Sequence, residues 1–169
     1  MILGSARSHG STRKMLDFIA AETNWPMIDL KQKRIEYFDY AFSNQDDDFI
    51  PLMEEILHHH DLILCATPVY WYSMSAIMKN FFDRMTDLLK VRTDLGELLK
   101  GKKMAMLSCG SDDEWMESMR TPFEEGAKYL GMEYVGDVHT WLVKGEIPQN
   151  IQLDLHRFID QLSSAKELS

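Results

Sequence analysis

Two stretches of this chain, Leu62-Ile63-Leu64-Cys65-Ala66 and Met104-Ala105-Met106-Leu107, are apolar at every position. A strand with one wet face alternates polar and apolar side chains, so strands without alternation must be covered on both faces. Each run is far shorter than the roughly 20 apolar residues of a bilayer span, so both are read as buried strands. Further strand-type runs lie at 1–3, 25–30 and 134–141, and segments with helical spacing of apolar residues separate all five. Strand and helix alternating five times predict an α/β fold with a largely parallel sheet and helices on both faces. Cys65 is then a core residue.

The helices can be placed from their punctuation. Ser11 or Thr12 caps a first helix that buries Met15, Phe18 and Ile19. A second follows Asp46-Asp47-Asp48, acidic residues suited to a helix N-terminus, with Pro51 in its first turn and Met53, Ile56 and Leu57 on its apolar face. A third, over 75–89, carries Ile77, Met78, Phe81, Phe82, Met85, Leu88 and Leu89. That stripe is wider than one sheet contact requires and suggests a homodimer surface. Thr121-Pro122-Phe123-Glu124 reads as a capping box opening the fourth helix, and the last is expected over 149–162.

A chain of 169 residues with 45% hydrophobic positions can bury a sizeable core as one domain, 1–169. No repeat, low-complexity tract or linker divides it. A formal charge of −9 with no basic cluster argues against nucleic acid or an anionic membrane as partner, because phosphate neutralisation supplies most of that affinity. Met1-Ile2-Leu3-Gly4 lacks a secretory h-region, and the expected location is the cytoplasm. Cys65 and Cys109 form no metal-ligand or CxxC spacing. His58-His59-His60 ends the second helix with side chains pointing apart, and attraction to the helix dipole explains them better than a metal.

In an open parallel sheet ligands sit beyond the carboxyl ends of the strands, so the loops after the first, third and fourth strands are the ones to read. The first, Gly4-Ser5-Ala6-Arg7-Ser8-His9-Gly10-Ser11-Thr12, offers hydroxyls, backbone N–H groups and a forked cation at a helix N-terminus, a set suited to one phosphate dianion. It has neither the Gly-Lys-Ser/Thr of a Walker loop nor GxGxxG spacing. The second, Thr67-Pro68-Val69-Tyr70-Trp71-Tyr72-Ser73-Met74-Ser75, ends the strand at a proline and sends out three consecutive aromatics that cannot all face one core. A planar aromatic ligand would use both. The third, Ser108-Cys109-Gly110-Ser111-Asp112-Asp113-Glu114-Trp115, continues through 120 as a long wall or lid. Nothing basic flanks Cys109 in sequence, so it reads as a spectator.

Gly4-Ser5-x-Arg7-x-x-Gly10-Ser11-Thr12, then Pro68-Val69-Tyr70-Trp71, then Phe81-Phe82-Asp83-Arg84 resemble the NAD(P)H-dependent FMN reductases and quinone reductases of the flavodoxin-like fold. The resemblance covers essentially the whole chain. It implies a five-stranded parallel sheet in the order 2-1-3-4-5, with FMN at the switch point between strands one and three. It also implies that Ser5, Arg7, Ser11 and Thr12 bind the FMN phosphate while His9 and Gly10 shape the loop. Pro68, Val69, Tyr70, Trp71, Tyr72 and Ser73 would line the isoalloxazine, and Ser108, Cys109, Gly110 and Ser111 would flank its opposite edge. NADPH or NADH would donate hydride to the flavin, and a small-molecule acceptor such as a quinone, nitro or azo compound would take the electrons. No side-chain acid or base is demanded, since the cofactor carries the chemistry. The first strand is shorter than the family's usual central strand, which bears on how firmly FMN is held. Two other readings of the residues stand beside this one: a flavodoxin-type electron carrier without its own substrate, and a flavin-free scaffold.

Overall fold

The structure, a computed structural model, describes residues 1–114 and 116–167. Its elements run β1 (Ile2–Leu3), α1 (Ser11–Thr23), β2 (Ile28–Asp29), α2 (Phe49–His59), β3 (Leu62–Pro68), α3 (Ala76–Lys90), α4 (Thr93–Glu97), β4 (Lys103–Cys109), α5 (Glu117–Tyr129), β5 (Glu133–Thr140) and α6 (Gln149–Glu167). A 3₁₀ turn, Leu30–Gln32, follows β2. The strands form one sheet in the order β2-β1-β3-β4-β5, and every neighbouring pair is parallel.

The unbroken apolar strands are buried on both faces because successive side chains point opposite ways. Ile63, Cys65, Met104 and Met106 join one core with residues of α2, α3, α4 and α5. Leu64, Ala66, Ala105 and Leu107 join a second core with residues of α1 and α6. Burial pushes the Cys65 thiol up to about 12, as its place in the core requires.

Several elements differ from the sequence reading. The second strand pairs only at Ile28–Asp29, because Pro26 lacks an N–H and Asp29 turns its carboxylate back onto Lys31 N at 3.0 Å. The helix after β4 starts at Glu117, so Pro122 lies inside it and the capping box is not its start. Met119, Phe123 and Ala127 are buried at spacings of four, and burial of Met119 draws the extra turn into the helix. The loop before it is accordingly shorter than expected, and Trp115 in that loop lies outside the described residues. The short α4 was not anticipated: Leu95 and Leu99 are buried, but five residues carry too little periodicity to read.

The wide stripe of α3 is covered within the chain, which removes the reason for assigning it to a dimer surface. Phe81 packs edge-on against Phe49 of α2, with ring centroids 5.7 Å apart. Phe82 does the same against Phe123 of α5, at 5.0 Å. Ile35, from the irregular segment 33–48, packs against the same core. That segment is fastened to α3 by Arg84, which is buried. Arg84 pairs with Asp47 and Asp87 and donates to the carbonyls of Glu36 at 3.0 Å and Asn44 at 2.8 Å. Its guanidinium carbon lies 4.9 Å from the Phe49 ring centroid. The acidic triplet therefore anchors this segment: Asp47 accepts from the amides of Glu36 and Phe49, and Asp48 from that of Arg34.

Candidate functional site

At the carboxyl end of β1 the chain needs Gly4, because a Cβ there would sit 2.7 Å from the Cβ and Cε of Met78 on α3. The backbone then turns through residues 5–10 into α1. Ser5 is buried with its hydroxyl accepting from Arg7 N at 3.2 Å, so it shapes the loop from inside. Gly10 is the N-cap and contributes no side-chain hydrogen bond, and the first turn of α1 holds no acidic residue. The amides of Ser11, Thr12 and Arg13 have no intrahelical acceptor and point, with the positive end of the helix dipole, out of the sheet's carboxyl edge. Among the described residues Arg7 makes no side-chain hydrogen bond or ion pair, and its Nε lies 3.4 Å from where a Cβ on residue 10 would be. His9 is exposed and Ser8 and Ser11 are half-buried. In a protein of charge −9 this is a local place for an anion, and one phosphate group matches it.

The second loop leaves β3 at Pro68, and Val69 N continues onto Cys109 O at 2.9 Å. Tyr70 and Ser73 then exchange two backbone hydrogen bonds, of 2.9 and 3.1 Å, around Trp71 and Tyr72. Both central residues are left-handed, with φ of 48° and 64°, the geometry of a type I′ turn normally built with Asn or Gly. Each costs about 1–2 kcal/mol in a residue with a Cβ. The turn holds the aromatic side chains outward: Trp71 is 93% exposed and Tyr72 64%. Thr67 Oγ1 closes the loop's base by accepting from Ser75 N at 2.9 Å.

The third loop is pinned by a residue that sequence reading missed. His139, near the end of β5, lies 2.8 Å (Nδ1) from Ser108 Oγ and 3.0 Å (Nε2) from Asp112 O. A carbonyl only accepts, so Nε2 carries a proton, and in the neutral ring Nδ1 accepts from the Ser108 hydroxyl. A Cβ on Gly110 would come within 2.9 Å of this ring. A titratable ring between Val138 and Thr140, at the carboxyl end of an edge strand, was the available signal. Gly110 N continues the sheet to Thr140 O at 2.9 Å, while Ser111 is exposed.

Cys109 ends β4 buried beside the first loop. Burial raises its thiol pKa, while contacts with Thr140 and Thr12 and the positive charge of Arg7 pull the other way without overcoming it. The sequence showed nothing basic next to Cys109, yet the fold brings Arg7 near. The thiol stays protonated nonetheless.

The three loops thus meet at the carboxyl edge of β1, β3 and β4, and the first two are joined directly: Ser75 Oγ donates to Gly4 O at 2.6 Å. The arrangement fits a ligand with a single phosphate and a flat aromatic part. The donors stand on loop one, and the wall of loop two carries rings and turn amides.

Comparison with known proteins agrees with this geometry. The family model described as NADPH-dependent FMN reductase matches residues 1–145. A Bacillus subtilis (strain 168) protein, YwqN, named as an NAD(P)H-dependent FMN-containing oxidoreductase, is 28% identical over 166 residues, covering 91% of this chain and 88% of its own. The solved Trp repressor binding protein of Bacillus subtilis superposes with a TM-score of 0.68 at 24% identity, covering 94% of this chain and 91% of that one. A solved NADPH-quinone reductase of P. pentosaceus does so at 0.66 and 18%, covering 94% and 93%. These two structures match the flavodoxin-like fold.

Proposed function

This chain belongs to the NADPH-dependent FMN reductase family, an FMN-binding family of NAD(P)H-dependent oxidoreductases, and we propose that it passes electrons from NADPH or NADH to a small-molecule acceptor, a quinone foremost and nitro or azo compounds after it. The observation that carries the reading is the uncapped N-terminus of α1 beside Arg7, next to an exposed aromatic turn, at the sheet's switch point. Bound FMN supplies hydride acceptance and donation.

In this proposal Arg7, the hydroxyls of Ser11 and Thr12 and the first amides of α1 hold the FMN phosphate, with Ser5, His9 and Gly10 giving the loop its course. Pro68, Val69, Tyr70, Trp71, Tyr72 and Ser73 border the ring system, and the turn amides of Trp71 and Tyr72 are donors available to it. Ser108, Cys109, Gly110 and Ser111 border the other edge, held in position by His139. No side chain of the three loops is required to move a proton. Their part is alignment and a fixed electrostatic environment. One domain over 1–169 carries the whole site. The proposal includes a homodimer, its contact moved from α3 to the exposed rings Tyr37, Tyr40, Trp71 and Tyr72. Among the described residues no helix is long and apolar enough to cross a membrane.

Anaerobic mixing of the FMN-loaded protein with NADPH and with NADH tests the assignment. Rapid bleaching of the flavin absorbance, followed by reoxidation with a quinone at catalytic rates, is the expected result. A flavin that neither nucleotide reduces, but that exchanges electrons with a redox protein, would make this chain a carrier.

A further inference from the structure

A fourth loop stands at the carboxyl edge of the sheet, between β5 and α6. Its base is packed: Trp141, Leu142 and Ile147 lie against the core that α1 and α6 share with the sheet. Its tip is closed by two backbone hydrogen bonds, Val143 N to Glu146 O and Glu146 N to Val143 O, both 3.0 Å. Between them Lys144 and Gly145 are left-handed, with φ of 51° and 84°, as at the two central positions of a type I′ turn. Glycine suits the second position. Lysine at the first, where asparagine, aspartate or glycine is the usual choice, carries a Cβ into a conformation that L side chains rarely adopt.

The tip is also tied down. Lys14, in the first turn of α1, donates from Nζ to Gly145 O at 2.8 Å across 131 positions of sequence. The same turn carries the amides of Ser11, Thr12 and Arg13, which have no intrahelical acceptor. Gly145 O therefore lies one side-chain length from the turn that offers donors to a phosphate, and Lys144 is the adjoining residue. Lys144 is exposed and, among the described residues, makes no hydrogen bond or ion pair. Arg7, on the loop that enters the same turn, makes none either. Arg13, by contrast, is paired with Asp17 at 2.7 Å, and Lys14 is committed to the carbonyl. A protein of charge −9 leaves two cations unpaired around one helix N-terminus.

We infer that Lys144 is a further cofactor-binding residue: beside Arg7 it supplies the second positive charge for the FMN phosphate, and Lys14 is the positioning residue that holds its turn in place. The inference rests on the reading of residues 4–12 as the phosphate loop. A phosphate monoester carries close to two negative charges at neutral pH, and Arg7 with the helix dipole balances them only in part. A four-carbon stem of about 6 Å lets the Lys144 ammonium swing to the phosphate while its backbone stays fixed. Only the stem has to be ordered on binding, which keeps the entropic cost small.

The experiment measures the dissociation constants of FMN and riboflavin by calorimetry on the flavin-free full chain and on Lys144→Gly, with thermal unfolding alongside. Lys144→Gly is expected to weaken FMN binding about five- to tenfold at low salt, to lose most of that difference at about 0.5 M salt, and to leave riboflavin binding unchanged. Its Tm should hold or rise, because glycine removes the left-handed Cβ. Affinity that falls while stability does not separates a binding residue from one that merely supports the fold. In a Lys14→Met background the same substitution should cost less than about twofold, since the turn is no longer tied. Unchanged FMN affinity in Lys144→Gly overturns the inference, as do equal losses for FMN and riboflavin. Equal losses of FMN affinity in the two backgrounds overturn the part given to Lys14. A parent chain that binds FMN no more tightly than riboflavin would remove the phosphate loop itself, and this inference with it.

Discussion

Ser75 Oγ donates to the Gly4 carbonyl at 2.6 Å and accepts from Met78 N at 3.1 Å, so one buried hydroxyl fastens the end of β1 to the N-terminus of α3. It is both a helix cap and the link between the phosphate-type loop and the aromatic loop. Ser75→Ala strands a buried carbonyl and a helix amide, and should cost about 1–3 kcal/mol of stability. Because the loops lose their common anchor, FMN affinity should fall as well. Chemical denaturation and calorimetric titration of FMN check the two effects separately.

Arg7→Ala combined with Ser11→Ala should weaken FMN binding by several kcal/mol, at about 1.5–3 kcal/mol for each hydrogen bond to a charged group. Riboflavin has the same ring and no phosphate, so its affinity should be nearly unchanged. Equal losses for both ligands would remove the phosphate from this loop.

Trp71 sits at a left-handed position with its ring in solvent. Trp71→Gly should relieve roughly 1 kcal/mol of backbone strain while removing an aromatic contact worth about 0.5–1.5 kcal/mol to the bound ring system. The variant should therefore hold its Tm or gain slightly, with a higher dissociation constant for FMN or nicotinamide. Single-turnover flavin reduction at saturation should fall only modestly, and a collapse by orders of magnitude would assign this loop a chemical role.

Burial pushes the Asp47 carboxyl up, but hydrogen bonds from Arg84 and from the amides of Phe49 and Glu36 outweigh it, leaving the pKa below the ordinary carboxylate value. A depressed folded-state pKa contributes stability that is complete above the unfolded value, near 3.9, and is lost as pH falls through the folded one. Asp47→Asn should flatten that acid limb. At neutral pH it leaves a buried guanidinium with one partner fewer, at a cost of about 3–5 kcal/mol. Unfolding measured from pH 3 to 7 in both proteins checks the sign and the size.

The double-sided burial of β3 and β4 was written in their unbroken apolar runs, and the site's two main loops were legible because proline, glycine and hydroxyl residues cluster at strand ends. His139 and Ser75 were not legible as anchors, since their partners lie 31 and 71 positions away and only the closed sheet brings them together. The α3 stripe misled for the same reason: helical periodicity counts apolar residues without saying whether the cover comes from this chain. Ser5 and Cys109 were named as site residues, and their burial adds that one supports the loop and the other stays a neutral thiol beside it.

Arg84 also sets an order of events. Segment 33–48 has no ladder of its own, and its polar hold on the protein centres on Arg84, two turns into α3, across separations of 37 to 48 residues, with Asn80 and Asp87 of the same helix bonding Ile35, Glu36 and Gln45 beside it. It cannot settle until α3 has docked on the sheet and the guanidinium is in place. During refolding this stretch should be the last to lock, and under stress the first to peel away. Substitutions at Asp47 or Asn44 should then quicken unfolding and leave the refolding rate nearly untouched.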